Sequence, residues 1–340
     1  MKKILMIILW ATLCWSTAGH SAGHSADELE VPVGISPVMS SAAMFIALEK
    51  GYFKEQGIKV KLNPFKASGA KMVPFLATGQ LLVGGGNINA GMYNAIANDI
   101  PIRIVADKGT VSRGHGYLAL LVRKDHIDSG RYKGFQDLKG MRMAVTAKGV
   151  SQEIVTHMYL KKAGLDLSAI RMTYLAYQDM NIALANKNLD ATVQIEPFVA
   201  SAEQHGFAKR VSGDDEIYPD QQSAAIMYSP VFTKKHPRYA EKFMVAYVKG
   251  LRDYNDAFEK NIHKDQIIDI LVKHTRIKDR NVYQSVVPVG LNPNGLVNVE
   301  SLKHDAGWYY SMKYLKKNPD IDTIVDLSFA RKAAAQLGSY

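Results

Sequence analysis

The 340-residue chain is too long for one compact core of usual size, so two domains are expected. With 47% apolar and 22% charged residues, its composition is typical of a folded globular protein and excludes a disordered one. The formal charge of +10 is compatible with anionic ligands, an anionic surface or simple solubility, and the lack of any block of five or more basic residues argues against nucleic acid as a partner.

Residues 1–18 have the pattern of a secretory signal peptide. Lys2 and Lys3 precede an apolar run, and small residues at the end of the segment fit a cleavage site. Cys14 follows Leu13, which is larger than the residue usual before a lipidated cysteine, so lipid anchoring is not expected. No later run approaches the roughly 20 apolar residues of a membrane span. The pattern therefore predicts an exported, soluble protein.

Cys14 is the only cysteine, so the chain without its signal peptide has none. Disulfides, zinc–thiolate sites and cysteine nucleophiles are thereby excluded. Residues 19–28, which begin with the tandem repeat GHSAGHSA, are expected to form a flexible N-terminus of the mature protein. Weak metal binding by His20 and His24 is the alternative.

The first half of the chain alternates short strands with short helices. A strand over 29–35 precedes a helix, at whose start Ser40 and Ser41 are expected to cap free backbone N–H groups, and Gly51 is expected to end it. Repeated strand–loop–helix units indicate a parallel α/β sheet. Further strands are predicted at 58–62, 81–83 and 102–106, and helices at 70–78 and 90–98.

The second half repeats this pattern and ends in helices. Ser151 opens a helix to residue 163, and another helix is predicted at 179–186. Beyond Pro237 the chain is expected to be helical, with amphipathic stretches at 241–258 and 265–272. The predicted strands are 118–122, 141–146, 170–175, 191–195 and 224–228.

Small polar residues follow the predicted strands, where ligands of α/β sheets bind. Glycine lets the backbone approach a ligand, serine and asparagine supply neutral hydrogen bonds, and free N–H groups at helix starts suit an anion. The GGGNIN run at 84–89, expected to form a loop, lacks the glycine spacing of a dinucleotide site. The candidate ligand-binding residues in these loops are Ser40, Ser41, Ser68, Gly69, Asn87, Asn89 and Ser151.

Two aromatic residues and one acid complete the candidate site. Tyr177 and Phe198 follow predicted strand ends, where their rings would stack on an aromatic or heteroaromatic ligand. Glu196 either accepts a hydrogen bond from a ligand amine or amide or anchors Pro197 at a hinge, and both alternatives stay open. The candidate charge partners for an anion, each of which could equally be a solvated or structural residue, are Arg113, His115 and Lys148.

An ordered set of segments resembles the substrate-binding proteins of ABC importers for sulfonates, taurine, nitrate and thiamine-pyrimidine precursors. The set departs from that family after FLATGQ, where Leu81 and Leu82 stand near the position of a usual aspartate. The matching segments are ALEKGYFKEQGIKVKL (47–62), the Ser68-Gly69 loop, FLATGQ (75–80), GFQDLKGMRMAV (134–145), KKAGLDLSAI (161–170), ALANKNLDA (183–191) and EPF (196–198).

The resemblance implies the type II periplasmic-binding fold. Two α/β lobes, each a mixed, mostly parallel sheet flanked by helices, would close on a ligand, with a helical C-terminal segment added. Lobe 1 would comprise residues 29–112 and 229–340, and lobe 2 residues 113–228. By position, the resemblance places Ser40, Ser68, Asn87, Ser151 and Glu196 at or near the cleft between the lobes.

The expected function is capture of a small organic anion, with an aromatic or planar part, for delivery to an ABC permease and its ATPase. The resemblance implies a monomer in the periplasm that needs no cofactor and has no enzymatic activity. Two alternatives stay open: a cofactor-pathway enzyme on the same scaffold, similar to a thiamine-pyrimidine synthase, and the ligand-binding subunit of a sensor.

Overall fold

The computed structural model describes residues 28–65, 69–98 and 100–340, and within them the chain forms two five-stranded sheets flanked by helices. The expected signal peptide, nearly all of the expected N-terminal tail, and Ser68 lie outside the described residues. The strands are β1 (Leu29–Ile35), β2 (Ile58–Pro64), β3 (Val83–Asn87), β4 (Arg103–Thr110), β5 (Leu118–Arg123), β6 (Arg142–Val145), β7 (Arg171–Tyr174), β8 (Ala191–Ile195), β9 (Ala208–Gly213) and β10 (Gln222–Tyr228).

Helices cover both sheets. Among those in the described residues, none is long and apolar enough to cross a membrane. The α-helices are α1 (Ala42–Glu49), α2 (Tyr52–Glu55), α3 (Val73–Thr78), α4 (Ala90–Ala97), α5 (Lys124–Asp128), α6 (Ser151–Lys162), α7 (Tyr177–Ala185), α8 (Phe198–Gln204), α9 (Pro230–Lys235), α10 (Pro237–Glu259), α11 (Lys264–His274), α12 (Val299–Ser311) and α13 (Ser328–Leu337).

Each sheet combines parallel and antiparallel pairs. The first has the order β2-β1-β3-β10-β4 and the second the order β7-β6-β8-β5-β9. Strands β2, β1 and β3 run parallel, as do β7, β6 and β8, while β10 and β5 run antiparallel to both of their neighbours. The expected fold class, two mixed sheets flanked by helices, is confirmed. Because β10 returns to the first sheet after the second is complete, the chain passes between the sheets twice.

The first helix is buried along most of its length. Every residue from Ala42 to Ala47 is at most 2% exposed, and only Leu48 and Glu49 at its end reach solvent. Helix α10 packs so closely on α1 that a Cβ at Gly250 would lie 2.1 Å from the carbonyl oxygen of Ala43. Because α2, α10 and α11 pack against α1, its residues before Leu48 have no solvent face, which explains why all of them are apolar.

The glycine run forms strand β3 rather than a loop, so that expectation is also wrong. A Cβ at Gly85 would lie 3.1 Å from Cδ of Lys108, and a Cβ at Gly86 would lie 2.4 Å from Cα of Gly69. Gly85 therefore leaves space for the side-chain stem of Lys108 on β4, and Gly86 lets the backbone at Gly69 pass close to β3.

Replacing Gly86 with alanine is expected to lower the free energy of unfolding by about 1–3 kcal/mol, the usual cost of overpacking a core. The added methyl group meets backbone, which cannot rotate away. Urea unfolding followed by circular dichroism measures the change. Gly307→Ala, at a helical position with no heavy atom within 4 Å, is the matched control and should be neutral or stabilising. Equal losses in both variants would contradict the close crossing.

The expectation that the chain beyond Pro237 is helical throughout is wrong. Between α11 and α12 it forms only one short 3₁₀ helix, Arg280–Gln284, because its backbone pairs elsewhere. Thr110 N donates to Gly290 O at 3.0 Å, and Asp107 N donates to Gly295 O at 2.9 Å. This extended segment thus supplies hydrogen-bond acceptors to the backbone N–H groups on the outer edge of β4.

Candidate functional site

The loops after the parallel strands of the two sheets meet at one boundary, which we call the cleft. Met39 N, in the loop after β1, donates to the carbonyl oxygen of Glu196 after β8 at 3.2 Å. Ser151 N, after β6, donates to the carbonyl oxygen of Ile88 after β3 at 3.2 Å. Carboxyl ends of parallel strands share an edge, so the topology brings these loops together.

A buried lysine lies at the end of β4. Lys108 is 1% exposed, and its Nζ donates to Oγ of Ser40 at 2.8 Å. Ser40 Oγ in turn donates to the Tyr117 hydroxyl at 3.4 Å. Burial lowers the pKa of the Lys108 ammonium to about 7, although the neighbouring Asp107 carboxylate opposes the shift. An ammonium with so few partners favours any anion that reaches it.

Asp107 does not pair with Lys108. Its Oδ1 accepts from Gly109 N at 2.9 Å and from Gln222 Nε2 at 2.6 Å, and its Oδ2 accepts from Asn292 N at 2.7 Å. These bonds tie the carboxylate to β10 and to the extended C-terminal segment. Within the described residues, Ser40 Oγ is therefore the one hydrogen-bond partner of the Lys108 ammonium.

Three neutral side chains join the two sides of the cleft. Asn87 Nδ2, at the end of β3, donates to Ser151 Oγ at 3.3 Å and to the Tyr177 hydroxyl at 3.4 Å. Burial raises the pKa of Tyr177 to about 12, and hydrogen bonds with Asn87 and Thr146 only partly offset the shift. The phenol thus stays neutral and keeps its proton for donation. The three side chains can supply hydrogen bonds, while Lys108 supplies charge.

The rings of Tyr177 and Phe198 are stacked, with centroids 6.3 Å apart and planes inclined by 14°. Both rings line a cavity of about 10 Å³ together with Ser36, Val38 and Phe65. In this conformation the cavity has room for about one water molecule, so a flat ligand group would meet the aromatic faces only when the cleft opens.

Glu196 is held by backbone donors. Its Oε2 accepts from Ala200 N at 3.0 Å and its Oε1 from Val287 N at 3.2 Å, and the bond to Pro197 is cis. Burial raises the pKa of Glu196 to about 7, against those two hydrogen bonds and the charge of Arg210. The geometry favours the anchoring alternative, because both oxygens already bond to segments on either side of the cleft.

Three other candidates have local partners. Ser41 Oγ donates to Ser36 O at 2.7 Å, and the expected serine cap is wrong because neither serine accepts from a helix N–H. Asn89 Oδ1 accepts from Met92 N at 2.9 Å and caps α4. Gly69 packs on the backbone of β3 at Gly86 and Asn87. Ligand contact by any candidate stays a prediction, and for Ser68 the structure offers no description.

Within the described residues, the expected charge partners make no hydrogen bond to the buried side chains of the cleft. Arg113 and Lys148 are exposed, and Lys148 Nζ lies 5.0 Å from the ring centroid of Tyr314. His115 Nε2 lies 2.7 Å from Glu259 Oε1. None of the three is as buried as Lys108.

Sequence reasoning missed Lys108 and the role of Tyr117. The available signal was the position of Asp107-Lys108 directly after the apolar strand IRIVA, where the same rule selected Asn87. A lysine near a strand end is usually solvated, so its type alone did not mark it. Its burial depends on Gly85 of a strand two positions away in the sheet.

Known proteins resemble this chain along nearly its whole length. The model of the NMT1-like family matches residues 25–271. A putative aliphatic sulfonates-binding protein of Bacillus subtilis (strain 168) is 26% identical over 356 residues, covering 100% of this chain and 99% of the relative. The sequence resemblance to this group of binding proteins is thereby confirmed.

Solved structures share the fold. The ligand-binding component of an ABC-type import system from Staphylococcus aureus, with zinc bound, has a TM-score of 0.74 at 15% identity and covers 90% of this chain and 99% of its own. The alkanesulfonate-binding protein of Xanthomonas axonopodis pv. citri, bound to MOPS, has a TM-score of 0.71 at 17% identity, covering 89% and 99%. At such identities the likeness establishes the fold alone.

Proposed function

The chain belongs to the NMT1-like family, and we propose that it is a solute-binding protein that captures a small organic anion reversibly between its two lobes. The observation that carries the proposal is the buried Lys108 ammonium, which faces the cleft with a serine hydroxyl as its partner. A buried ammonium that has no carboxylate partner is energetically unfavourable, and a bound anion would remove that cost. We therefore expect the contact with Lys108 to contribute much of the binding free energy.

The surrounding groups fit the same ligand. The hydroxyls of Ser151 and Tyr177 accept from the Asn87 amide in one hydrogen-bonded group at the cleft, and the Ser40 hydroxyl accepts from Lys108 in another. Neutral donors beside one cation suit a sulfonate or carboxylate, which accepts several bonds at once. The name of the Bacillus subtilis relative makes a sulfonate the first candidate. The stacked rings of Tyr177 and Phe198 support an aromatic or planar part in the ligand.

The wider role follows the relatives. We infer export to the periplasm as a monomer without enzymatic activity, with delivery to an ABC permease and its ATPase. A sensor subunit would use the same cleft. We place the division between lobes at the two chain passages, so that residues 29–112 and 222–340 form lobe 1 and residues 113–221 form lobe 2. The boundary moves from residue 228 because β10 pairs within the first sheet.

A thermal-shift screen tests the proposed function. The panel contains alkyl and aryl sulfonates, aromatic acids, nitrate, pyrimidines and flavins, with choline as a cationic control. We expect at least one organic anion to raise the melting temperature in a concentration-dependent manner, since a ligand of the native state stabilises it by mass action. A response to choline alone, or to no member of the panel, would contradict the proposal.

The Ser40–Lys108 contact favours one second candidate, an ester hydrolase. A lysine of lowered pKa at 2.8 Å from a serine hydroxyl could take its proton as Ser40 Oγ attacks an ester carbonyl. The alcohol would leave, and water would release the acid. With p-nitrophenyl acetate, the binding proposal expects equal, background release of p-nitrophenol by the wild type and Ser40→Ala. Turnover lost in Ser40→Ala would favour the enzyme.

A further inference from the structure

A second, larger cavity opens beside the cleft. It is a groove of about 470 Å³ between α7 and α8, and Arg276 and Ile277 from the segment after α11 form its third wall. Ile182 of α7 is 58% exposed there, and the ring of Phe207 lies at the same wall. An exposed isoleucine in a groove of this size is a candidate apolar contact.

The groove and the cleft cavity are adjacent. Gln178, Phe198 and Arg276 line both. Tyr177, which lines the cleft cavity, reaches Asn87 with its hydroxyl. The two stacked rings therefore connect the side chain of Asn87 with the wall of the groove.

The groove's polar groups are few and mostly occupied. Asn181 Nδ2 donates to Phe198 O at 2.9 Å, and His205 Nδ1 contacts Ser201 O at 2.8 Å. No aspartate or glutamate lines it. Within residues 28–65, 69–98 and 100–340, the Arg276 guanidinium has no hydrogen bond or ion pair. The groove thus offers apolar surface to a neutral chain, and its cationic rim disfavours a positively charged one.

We propose that the groove binds the apolar tail of the captured anion, so that the ligand is an elongated amphiphile with its charged head in the cleft. The inference rests on the proposed function. The head lies at Lys108 and the donors around it, and the tail passes between Phe198 and Arg276 to lie on Ile182 and Phe207. The methylenes of Arg276 cover the tail while its guanidinium stays in water. Because Arg276 belongs to a different lobe from α7 and α8, lobe closure completes the groove.

Calorimetric titration with ethane-, hexane- and decane-1-sulfonate tests the tail site. We expect affinity to rise with chain length, by about two- to fourfold for each methylene buried. Ile182→Asp should weaken decanesulfonate at least tenfold and leave ethanesulfonate within twofold, because only the long tail reaches it. Ile262→Asp is the matched control: Ile262 is 45% exposed, does not line the groove, and should leave all three affinities unchanged.

The outcomes separate the two proposals. If ethanesulfonate binds but affinity does not change with chain length, the tail site is wrong and the solute-binding function stands. If no sulfonate of any length binds, both the tail site and the proposed sulfonate-binding function are wrong. The variant Ile182→Asp could also leave the dependence of affinity on chain length unchanged and lower the molar mass in light scattering. In that case the groove is an interface between copies of the chain and the tail site is wrong.

Discussion

Replacing Lys108 with methionine is expected to weaken organic-anion binding by about 30-fold to several thousand-fold, equivalent to 2–5 kcal/mol, the usual cost of truncating a buried charge partner. Methionine keeps the apolar stem across Gly85 and removes the ammonium that faces Ser40. Titration calorimetry with the strongest anion from the screen measures the loss. Lys234→Met, which removes an exposed lysine of α9, is the control and should leave affinity unchanged.

The fold should survive this substitution, which separates binding from stability. Burial lowers the pKa of Lys108 to about 7, so between pH 7 and about 10.5 the folded protein binds fewer protons than the unfolded chain. That difference makes wild-type stability rise with pH across this window, and Lys108→Met should lose the rise. At pH 7 its free energy of unfolding should equal or exceed that of the wild type. If Lys108→Met binds the anion as tightly as the wild type does, the ligand does not contact Lys108.

Replacing Asp190 with alanine is expected to lower the free energy of unfolding by about 3–5 kcal/mol, because it removes the carboxylate that Arg123, His126 and Arg142 share and leaves buried polar groups of Arg123 and His126 without this partner. Asp190 is 4% exposed at the start of β8. Its Oδ1 accepts from Arg142 Nη2 at 2.9 Å and lies 2.9 Å from His126 Nε2, and its Oδ2 accepts from Arg142 N at 2.9 Å. Arg123, 8% exposed, lies within 3.4 Å of the same carboxylate.

Urea unfolding at pH 7 measures this loss, and Asp128→Ala is the control. Asp128 forms an exposed pair with Lys124 on α5, so its removal should cost under about 1 kcal/mol. Burial opposes the ionised form of Asp190, but hydrogen bonds from Arg142 and His126 hold its pKa well below the usual range. Its stabilisation is therefore present above about pH 4 and lost as pH falls toward the folded pKa. Similar losses in both variants would contradict a central role for Asp190.

The cleft's position could be predicted because strand ends and small polar residues are local features. Parallel topology brings Ser151 and Tyr177 to one edge of the second sheet, and their hydrogen bonds with Asn87 join that edge to the end of β3 in the first sheet. The charge of the cleft could not be predicted in this way. Lys108 becomes buried only when β10 inserts between β3 and β4 and Gly85 leaves space for its stem, contacts that join distant parts of the chain.

Local patterns also failed where tertiary pairing overrides them. The glycine run at 84–86 has low strand propensity, yet β1 and β10 pair with it on both sides. The segment after α11 was expected to be helical, but its backbone bonds to the edge of β4, which no pattern within it reveals. The small polar residue rule selected Ser41 and Asn89 from their positions after strands, but their side chains bond to nearby backbone groups.

Proton uptake on binding tests the central claim, an anion paired with Lys108 in the cleft, most directly. Titration calorimetry at pH 8 in two buffers of different ionisation enthalpy counts the protons taken up per ligand bound. A sulfonate has no titratable proton at this pH, so any uptake comes from the protein. With a free pKa of about 7, Lys108 should take up about 0.9 proton as the anion restores its charge. Binding without proton uptake, or with equal uptake by Lys108→Met, would contradict the account.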